Sequence, residues 1–182
     1  MSNKAVFLDR DGVVNVDHGY VHKIEEFDFM PGIFELCQYA KRLGYKLIIA
    51  TNQSGIGRGY YTEDDFLRLS EWMKAQFVEN QCEIDGLYYS PYHPEKAQPP
   101  YLKKSDCRKP APGMLLQAIK DFDLKPSDCI MIGDNETDIQ ASKAAGIGRS
   151  VLLDTVNKSN SGAESDADEV WQALSEGLAK FQ

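Results

Sequence analysis

The sequence predicts an α/β fold, a three-layer, doubly wound, Rossmann-like domain built on a parallel sheet of five or more strands. Short continuous apolar runs recur along the chain, segments of helical periodicity separate them, and polar or glycine-containing motifs follow the runs. Uninterrupted apolar runs suit strands buried on both faces. Helices of ten or more residues between such strands require right-handed crossovers onto one parallel sheet.

Residues 4–8 form the first apolar run, and it stops at Asp9. A helix follows, with Ile33, Leu36, Cys37, Ala40 and Leu43 on one face and Gly44 as its stop. Residues 46–51 read as the second strand. Thr62 then caps a helix whose Phe66, Leu69, Trp72, Met73 and Phe77 make a stripe, with Glu63, Asp64 and Asp65 at the positive end of its dipole. Residues 86–90 are the third strand.

Prolines at 91, 94, 99, 100, 110 and 112 mark residues 91–112 as a long loop. Pro112 introduces a third helix carrying Met114, Leu115, Ala118, Ile119 and Phe122. Residues 129–133 and 150–154 are further strands, and residues 136–145 form a helix closed by Gly146. The Ser, Asn, Asp and Glu content of residues 157–168 predicts a mobile linker, followed by a short C-terminal helix over about 170–180. No internal repeat interrupts this pattern.

At 182 residues, with 42% hydrophobic and 26% charged residues, the chain suits one domain over 1–182. Its 20 Lys and Arg against 28 Asp and Glu give a net charge of −8. Such a surface repels nucleic acid and anionic membranes. No signal-peptide pattern and no apolar run long enough to span a bilayer is present, so a soluble, cytoplasmic protein is expected. Cys37, Cys82, Cys107 and Cys129 form no CxxC pair, which argues against a redox motif or a zinc ribbon.

The chemistry-bearing residues fall at predicted strand ends, where doubly wound sheets bind ligands. Asp9-Arg10-Asp11-Gly12 follows the first strand, and its spacing aims both carboxylates at one ligand while Arg10 points away. Thr51-Asn52-Gln53-Ser54-Gly55 ends the second with a hydroxyl and backbone N–H groups suited to phosphate oxygens. Cys107-Arg108-Lys109-Pro110 places two cations before a helix. Gly133-Asp134-Asn135-Glu136-Thr137-Asp138 ends the fourth with a second carboxylate pair. Taken singly, these are acidic turns, solvated cations and helix caps. Their joint order is what points to chemistry.

In that order the motifs DRDG, TNQ, RKP and GDNETD resemble the haloacid dehalogenase superfamily of aspartate-nucleophile phosphatases, over about residues 5–154. DRDG, TNQSG and CRKP are similar to the wording of its histidinol-phosphate and heptose-bisphosphate branch. The segment Asp17-His18-Gly19-Tyr20-Val21-His22, with Phe27 and Pro31-Gly32, favours the heptose enzymes.

The resemblance implies a haloacid dehalogenase fold with a minimal cap, acting on a small phosphorylated sugar. The implied reaction removes the 7-phosphate of a heptose 1,7-bisphosphate on the way to nucleotide-activated heptose for the lipopolysaccharide core. A histidinol phosphatase, another small phosphomonoesterase, or a phosphosugar-binding module without turnover are the alternatives. Asp9 would attack phosphorus, and Asp11 would serve as acid and then base. Mg²⁺ would be held by the Asp9 side chain, the Asp11 carbonyl and Asp134, with Asp138 behind them.

Thr51, Lys109 and the Asn52 N–H would hold the phosphoryl group. Arg10, Asp17, His18, Gly19, Tyr20, Asn52, Gln53, Ser54, Arg108 and Asn135 are the expected substrate contacts, with Arg108 able to take a second phosphate or hydroxyls bidentately. The GIGRG run at 55–59 is expected to be a mobile loop whose Arg58 closes over the mouth. A monomer with an open site is expected, since no large cap insertion separates the motifs.

Relatives in this branch often hold zinc with Cys-x-His and Cys-x-Cys, where this chain has Ser90-Pro91-Tyr92 and Ser105-Asp106-Cys107. One thiol with His93 nearby cannot close a tetrahedral site, so no zinc is expected. Either packing of Tyr88, Tyr89, Tyr92 and Tyr101 then holds the loop, or the loop is more mobile than in zinc-bearing relatives. His18 is expected to contact substrate and His22 to be structural. A basic residue can follow the motif-four aspartate in close heptose enzymes, where this chain has Asn135.

Overall fold

Strand β1, Ala5–Leu8, is buried on both faces because alternate side chains enter two separate cores. Val6 and Leu8 join Leu47, Ile49, Ile132 and the helices of one layer, while Ala5 and Phe7 join Ile48, Met131 and the other. That double burial explains the unbroken apolar run. The computed structural model describes residues 3–156 and 164–181.

The other strands are β2 (Lys46–Asn52), β3 (Gly86–Ser90), β4 (Ile130–Gly133), β5 (Arg149–Leu153) and β6 (Glu169–Trp171). All pairs are parallel, in the order β3-β2-β1-β4-β5-β6. The chain builds outward from β1 to β3 on one side and then crosses to β4 on the other. The carboxyl ends of β1, β2 and β4 therefore open onto one crevice at the switch point.

The helices are α1 (Ile33–Arg42), α2 (Ser54–Gly57), α3 (Glu63–Glu79), α4 (Gly113–Asp121), α5 (Glu136–Ala144) and α6 (Gly177–Lys180). Helix α1 ends where Gly44 takes a left-handed conformation. At the start of α3, Thr62 Oγ1 accepts from the Asp65 N–H at 3.1 Å and the Asp65 carboxylate accepts from the Thr62 N–H at 2.9 Å. This is a reciprocal capping box. Among the described residues no helix is long and apolar enough to cross a membrane.

Two expectations about the elements need correction. Residues 170–180 are not one helix: Glu169–Trp171 pairs with β5, and only Gly177–Lys180 is α-helical. Edge pairing turns Trp171 inward, where it is 1% exposed.

The run at 55–59 is not a free loop, since Ser54–Gly57 makes a helical turn with Gly55, Ile56 and Gly57 buried. A Cβ on Gly55 would strike the Tyr61 ring, and one on Gly57 would strike Pro91 and Tyr101. Close approach, not mobility, is what those glycines permit.

Of the expected linker, residues 157–163 lie outside the described residues. Asp168 is fixed by the Ser150 N–H at 2.7 Å and by Lys143 Nζ at 2.7 Å.

Residues 91–112 do run as a loop between β3 and α4. Across it the Lys103 N–H donates to His93 O and the His93 N–H to Tyr101 O, each at 3.2 Å, and Gln98 N–H donates to Gly57 O at 2.7 Å. The Tyr92 and Tyr101 rings meet at 6.1 Å, and Tyr89 packs on Phe66 at 4.5 Å. Tyr88 departs from the expectation, lying on the opposite face with Phe122 and bonding Asp121 at 2.7 Å.

Candidate active site

The crevice contains a cavity of about 290 Å³ lined by Asp9, Asp11, Asp17, Gly19, Tyr20, Asn52, Gln53, Ser54, Lys109, Asp134, Asn135 and Asp138, all of them named from the sequence. Gly55, Tyr61 and Thr137 complete it.

Asp9 leaves β1 with its N–H bonded to Ile132 O on β4 at 3.1 Å. Its Oδ1 accepts from the Arg10 N–H at 2.9 Å and from Lys109 Nζ at 2.9 Å. Lys109 spends its other two donors on Ala50 O at 2.8 Å and Asp138 Oδ1 at 2.5 Å. The ammonium is thus 3% exposed and fully engaged. Burial alone would lower its pKa, but Asp138 and Asp9 outweigh burial and hold it above the ordinary lysine value.

Asp9, Asp134 and Asp138 bring carboxylate oxygens within 4.8 Å of one another. Burial, then repulsion from Asp138, pushes the Asp9 carboxyl well above its usual range, with Lys109 opposing. The same two causes push Asp134 up to about 6. Asp134 Oδ1 is buried and has no protein partner. An oxygen-only cluster with an orphaned carboxylate oxygen is the donor set that a hard divalent cation requires. Gly12 is needed here, because a Cβ at that position, with its φ of +91°, would overlap the Asp134 carboxylate.

Asp138 has both oxygens occupied, Oδ1 by Lys109 and Oδ2 by the Asn135 N–H at 3.1 Å. Asp11 Oδ1 accepts from Arg10 Nη2 at 2.8 Å and Asn15 Nδ2 at 3.0 Å, and its Oδ2 accepts from Gln53 Nε2 at 3.0 Å.

Four expected contacts lie elsewhere. Arg10, expected at the substrate, is 1% exposed; its guanidinium bonds Asp11 and Val21 O and lies over Phe27 and Phe66. It holds the loop from beneath. Thr51 is buried, with its hydroxyl accepting from Gln53 Nε2 at 2.8 Å. His18 turns outward to Asp28 at 2.7 Å. Arg108 stands outside the cavity lining, its Nη1 donating to Tyr92 O at 3.2 Å.

Burial and the nearby Arg58 lower the Arg108 pKa. The Arg58 guanidinium lies 5.7 Å from the Tyr20 ring, and its Nε is buried without a partner. Arg58 thus lies over a tyrosine that lines the cavity, with Arg108 close enough to feel its charge.

Among the described residues, the carboxylate group at Asp9, Asp134 and Asp138 is the one cluster placed to hold a metal. In the loop before Lys109, Cys107 Sγ contacts Ser105 Oγ at 3.1 Å. His93 Nδ1 accepts from the Glu95 and Lys96 N–H groups at 3.1 and 2.9 Å.

Sequence reasoning missed Asn15, Tyr61 and Thr137. Tyr61 carried a signal, since it precedes the Thr62 cap and packs with Phe66 as a hydrophobic staple. That pattern explains its ring and says nothing of its hydroxyl.

Residues 3–146 match the family described as hydrolase, haloacid dehalogenase-like hydrolase. A D-glycero-alpha-D-manno-heptose-1,7-bisphosphate 7-phosphatase of Burkholderia mallei is 55% identical over 153 residues, 84% of this chain and 81% of that protein. A D-glycero-beta-D-manno-heptose-1,7-bisphosphate 7-phosphatase of Pasteurella multocida is 45% identical over 95% of this chain and 94% of its own length. The crystal structure of a D,D-heptose 1,7-bisphosphate phosphatase from B. bronchiseptica, complexed with magnesium and phosphate, superposes with a TM-score of 0.84 at 25% identity, covering 97% of each chain.

Proposed function

The chain belongs to the haloacid dehalogenase-like hydrolases and is a phosphatase, and from that premise we propose that it removes the 7-phosphate of D-glycero-D-manno-heptose 1,7-bisphosphate through an aspartyl-phosphate on Asp9. The observation that carries the reading is the pair of carboxylates at Asp9 and Asp11, held by separate donor sets in one cavity with Lys109 and Asp134.

Asp9 Oδ1 is already taken by Arg10 and Lys109, which leaves Oδ2 to form the bond to phosphorus. As that bond forms, the ester P–O bond breaks and Asp11 gives its proton to the departing sugar oxygen. Asp11, now a carboxylate, takes a proton from water as the water oxygen bonds phosphorus and Asp9 is released. Lys109 keeps Asp9 oriented and contributes positive charge beside the phosphoryl oxygens. Thr51 acts through Gln53 in this arrangement, and the Ser54 and Asn52 positions face the phosphate.

Asp9 and Asp134, with the Asp11 carbonyl, would hold Mg²⁺. Asp138, with both oxygens engaged, supports the group from behind. Neutralisation of phosphoryl charge is the chemistry that bound Mg²⁺ supplies. The sugar is placed against Asp17, Gly19, Tyr20 and Asn135, and Arg58 with Arg108 supplies positive charge for a second phosphate. The protein works as a soluble monomer with no zinc in the loop before Lys109.

Phosphate release from the heptose bisphosphate and from histidinol phosphate, with Mg²⁺ and with EDTA, tests the proposal. The bisphosphate is expected to be preferred and EDTA to abolish turnover. Undiminished turnover in EDTA, or in Asp9→Asn, would overturn the mechanism. Preference for histidinol phosphate would overturn the substrate alone.

A further inference from the structure

Asp11 is caged by donors, and one of them is steered by a residue with no part in the reaction above. Gln53 Nε2 reaches both Asp11 Oδ2, at 3.0 Å, and Thr51 Oγ1, at 2.8 Å. A carboxamide turned over about its last bond exchanges donor for acceptor with almost no change of shape. Turned over here, Gln53 would aim Oε1 at a carboxylate oxygen.

The group that selects one orientation is the Tyr61 hydroxyl, which donates to Gln53 Oε1 at 2.5 Å. The tyrosine is itself locked. Its ring stacks on His22 with centroids 5.0 Å apart and planes 6° from parallel, lies against Gly55 on the other element, and is 5% exposed. Burial raises the pKa of its hydroxyl, so the proton it donates stays in place.

We propose that Tyr61 is a positioning residue for proton transfer, acting through Gln53 to hold Asp11 with Oδ2 as its proton-carrying oxygen. Two donors, Arg10 and Asn15, fill Oδ1. Oδ2 has a single donor and keeps one lone pair for the proton. In the first step that proton passes from Oδ2 to the leaving oxygen as the ester bond breaks. In the second, Oδ2 receives one proton from the attacking water as the Asp9–phosphorus bond breaks. Tyr61 itself passes no proton in either step. This inference rests on the assignment of Asp11 as acid and base.

Leaving groups separate a misplaced acid from general damage. An alkyl phosphate needs the proton for departure, whereas p-nitrophenolate leaves without it, and kcat/KM reports only steps up to that departure. In Tyr61→Phe, measured with Mg²⁺, kcat/KM for a sugar phosphate is expected to fall at least about tenfold, a fraction of what a general acid supplies. For p-nitrophenyl phosphate kcat/KM is expected to stay within about twofold. Its kcat falls, with aspartyl-phosphate accumulating, because the second step uses the same Oδ2.

Gln53→Leu leaves the tyrosine ring in place and is expected to lose more kcat/KM on the sugar phosphate than on p-nitrophenyl phosphate, and the double variant to be no worse than Gln53→Leu. If Tyr61→Phe does not fold, Gln53→Leu carries the test. Equal losses on both esters, or no loss on the sugar phosphate, would overturn the role of Tyr61. A wild-type protein inactive on both would instead overturn the reading of the site.

Discussion

Asn52 and Lys109, 57 residues apart, exchange two hydrogen bonds: Asn52 Nδ2 donates to Lys109 O at 3.0 Å, and the Lys109 N–H donates to Asn52 Oδ1 at 3.0 Å. The pair ties the end of β2 to the proline-containing loop before α4. It delivers the Lys109 ammonium to Asp9 from a segment with no regular secondary structure of its own.

Asn52→Leu strips both partners from the Lys109 backbone. Leaving buried polar groups unpaired costs about 1–3 kcal/mol, and urea unfolding should show a loss of about 2 kcal/mol. Phosphate release should fall by about tenfold or more, because a displaced lysine no longer orients the nucleophile. Asn52→Asp keeps the acceptor for the Lys109 N–H and should lose less in both measurements.

Lys109→Met removes the cation that Asp9 and Asp138 share. Breaking a buried ion pair from one side costs about 3–5 kcal/mol, since carboxylates remain without a counter-charge. Thermal unfolding should therefore show a large drop for Lys109→Met. The double variant with Asp138→Asn should recover part of it. Strict additivity of the two single variants would contradict a shared network.

Mg²⁺ should raise the melting temperature as well as support turnover. A ligand at one hundred times its dissociation constant adds about 2.7 kcal/mol to a state that alone binds it. Here it would also relieve repulsion among Asp9, Asp134 and Asp138. Asp134→Asn removes the carboxylate with the unpartnered oxygen, and the Mg²⁺-dependent shift in melting should shrink or vanish with it.

Asp168 should give the C-terminal strand a pH-dependent anchor. Its hydrogen bond from Lys143, then the Ser150 N–H, holds the carboxyl down at about 2. A group depressed in the folded state stabilises above its ordinary value and loses that contribution as pH falls through the folded value. Urea unfolding of Asp168→Asn should thus trail the wild type by about 1 kcal/mol at neutral pH, solvent screening included. The gap should narrow below about pH 4 and close near 2.

The loop before Lys109 should be independent of zinc. Metal analysis of the purified protein should find no stoichiometric zinc, and Cys107→Ser should alter stability by less than about 0.5 kcal/mol. A zinc-dependent melting temperature would contradict this.

Much of the architecture was legible in the chain because apolar runs and helical stripes are local patterns with one economical solution. Residues 86–90 were read to the residue, and the motifs DRDG, TNQ and GDNETD fell at strand ends. Strand β6 was not legible, since three residues at a sheet edge carry too short a pattern, and their pairing depends on where β5 lies.

The sequence by itself determined which residue types stand at the switch point and therefore what kind of chemistry the crevice can hold. Tertiary structure alone decided what each of them touches. It buried Arg10 beneath Asp11, turned His18 out to Asp28, set the Asn52 side chain on the loop instead of the ligand, and brought Tyr61 to Gln53. The physical reason is that burial and hydrogen-bond partners arise between segments distant in the chain, and these fix a side chain's role where local spacing fixes only its type and its place on an element.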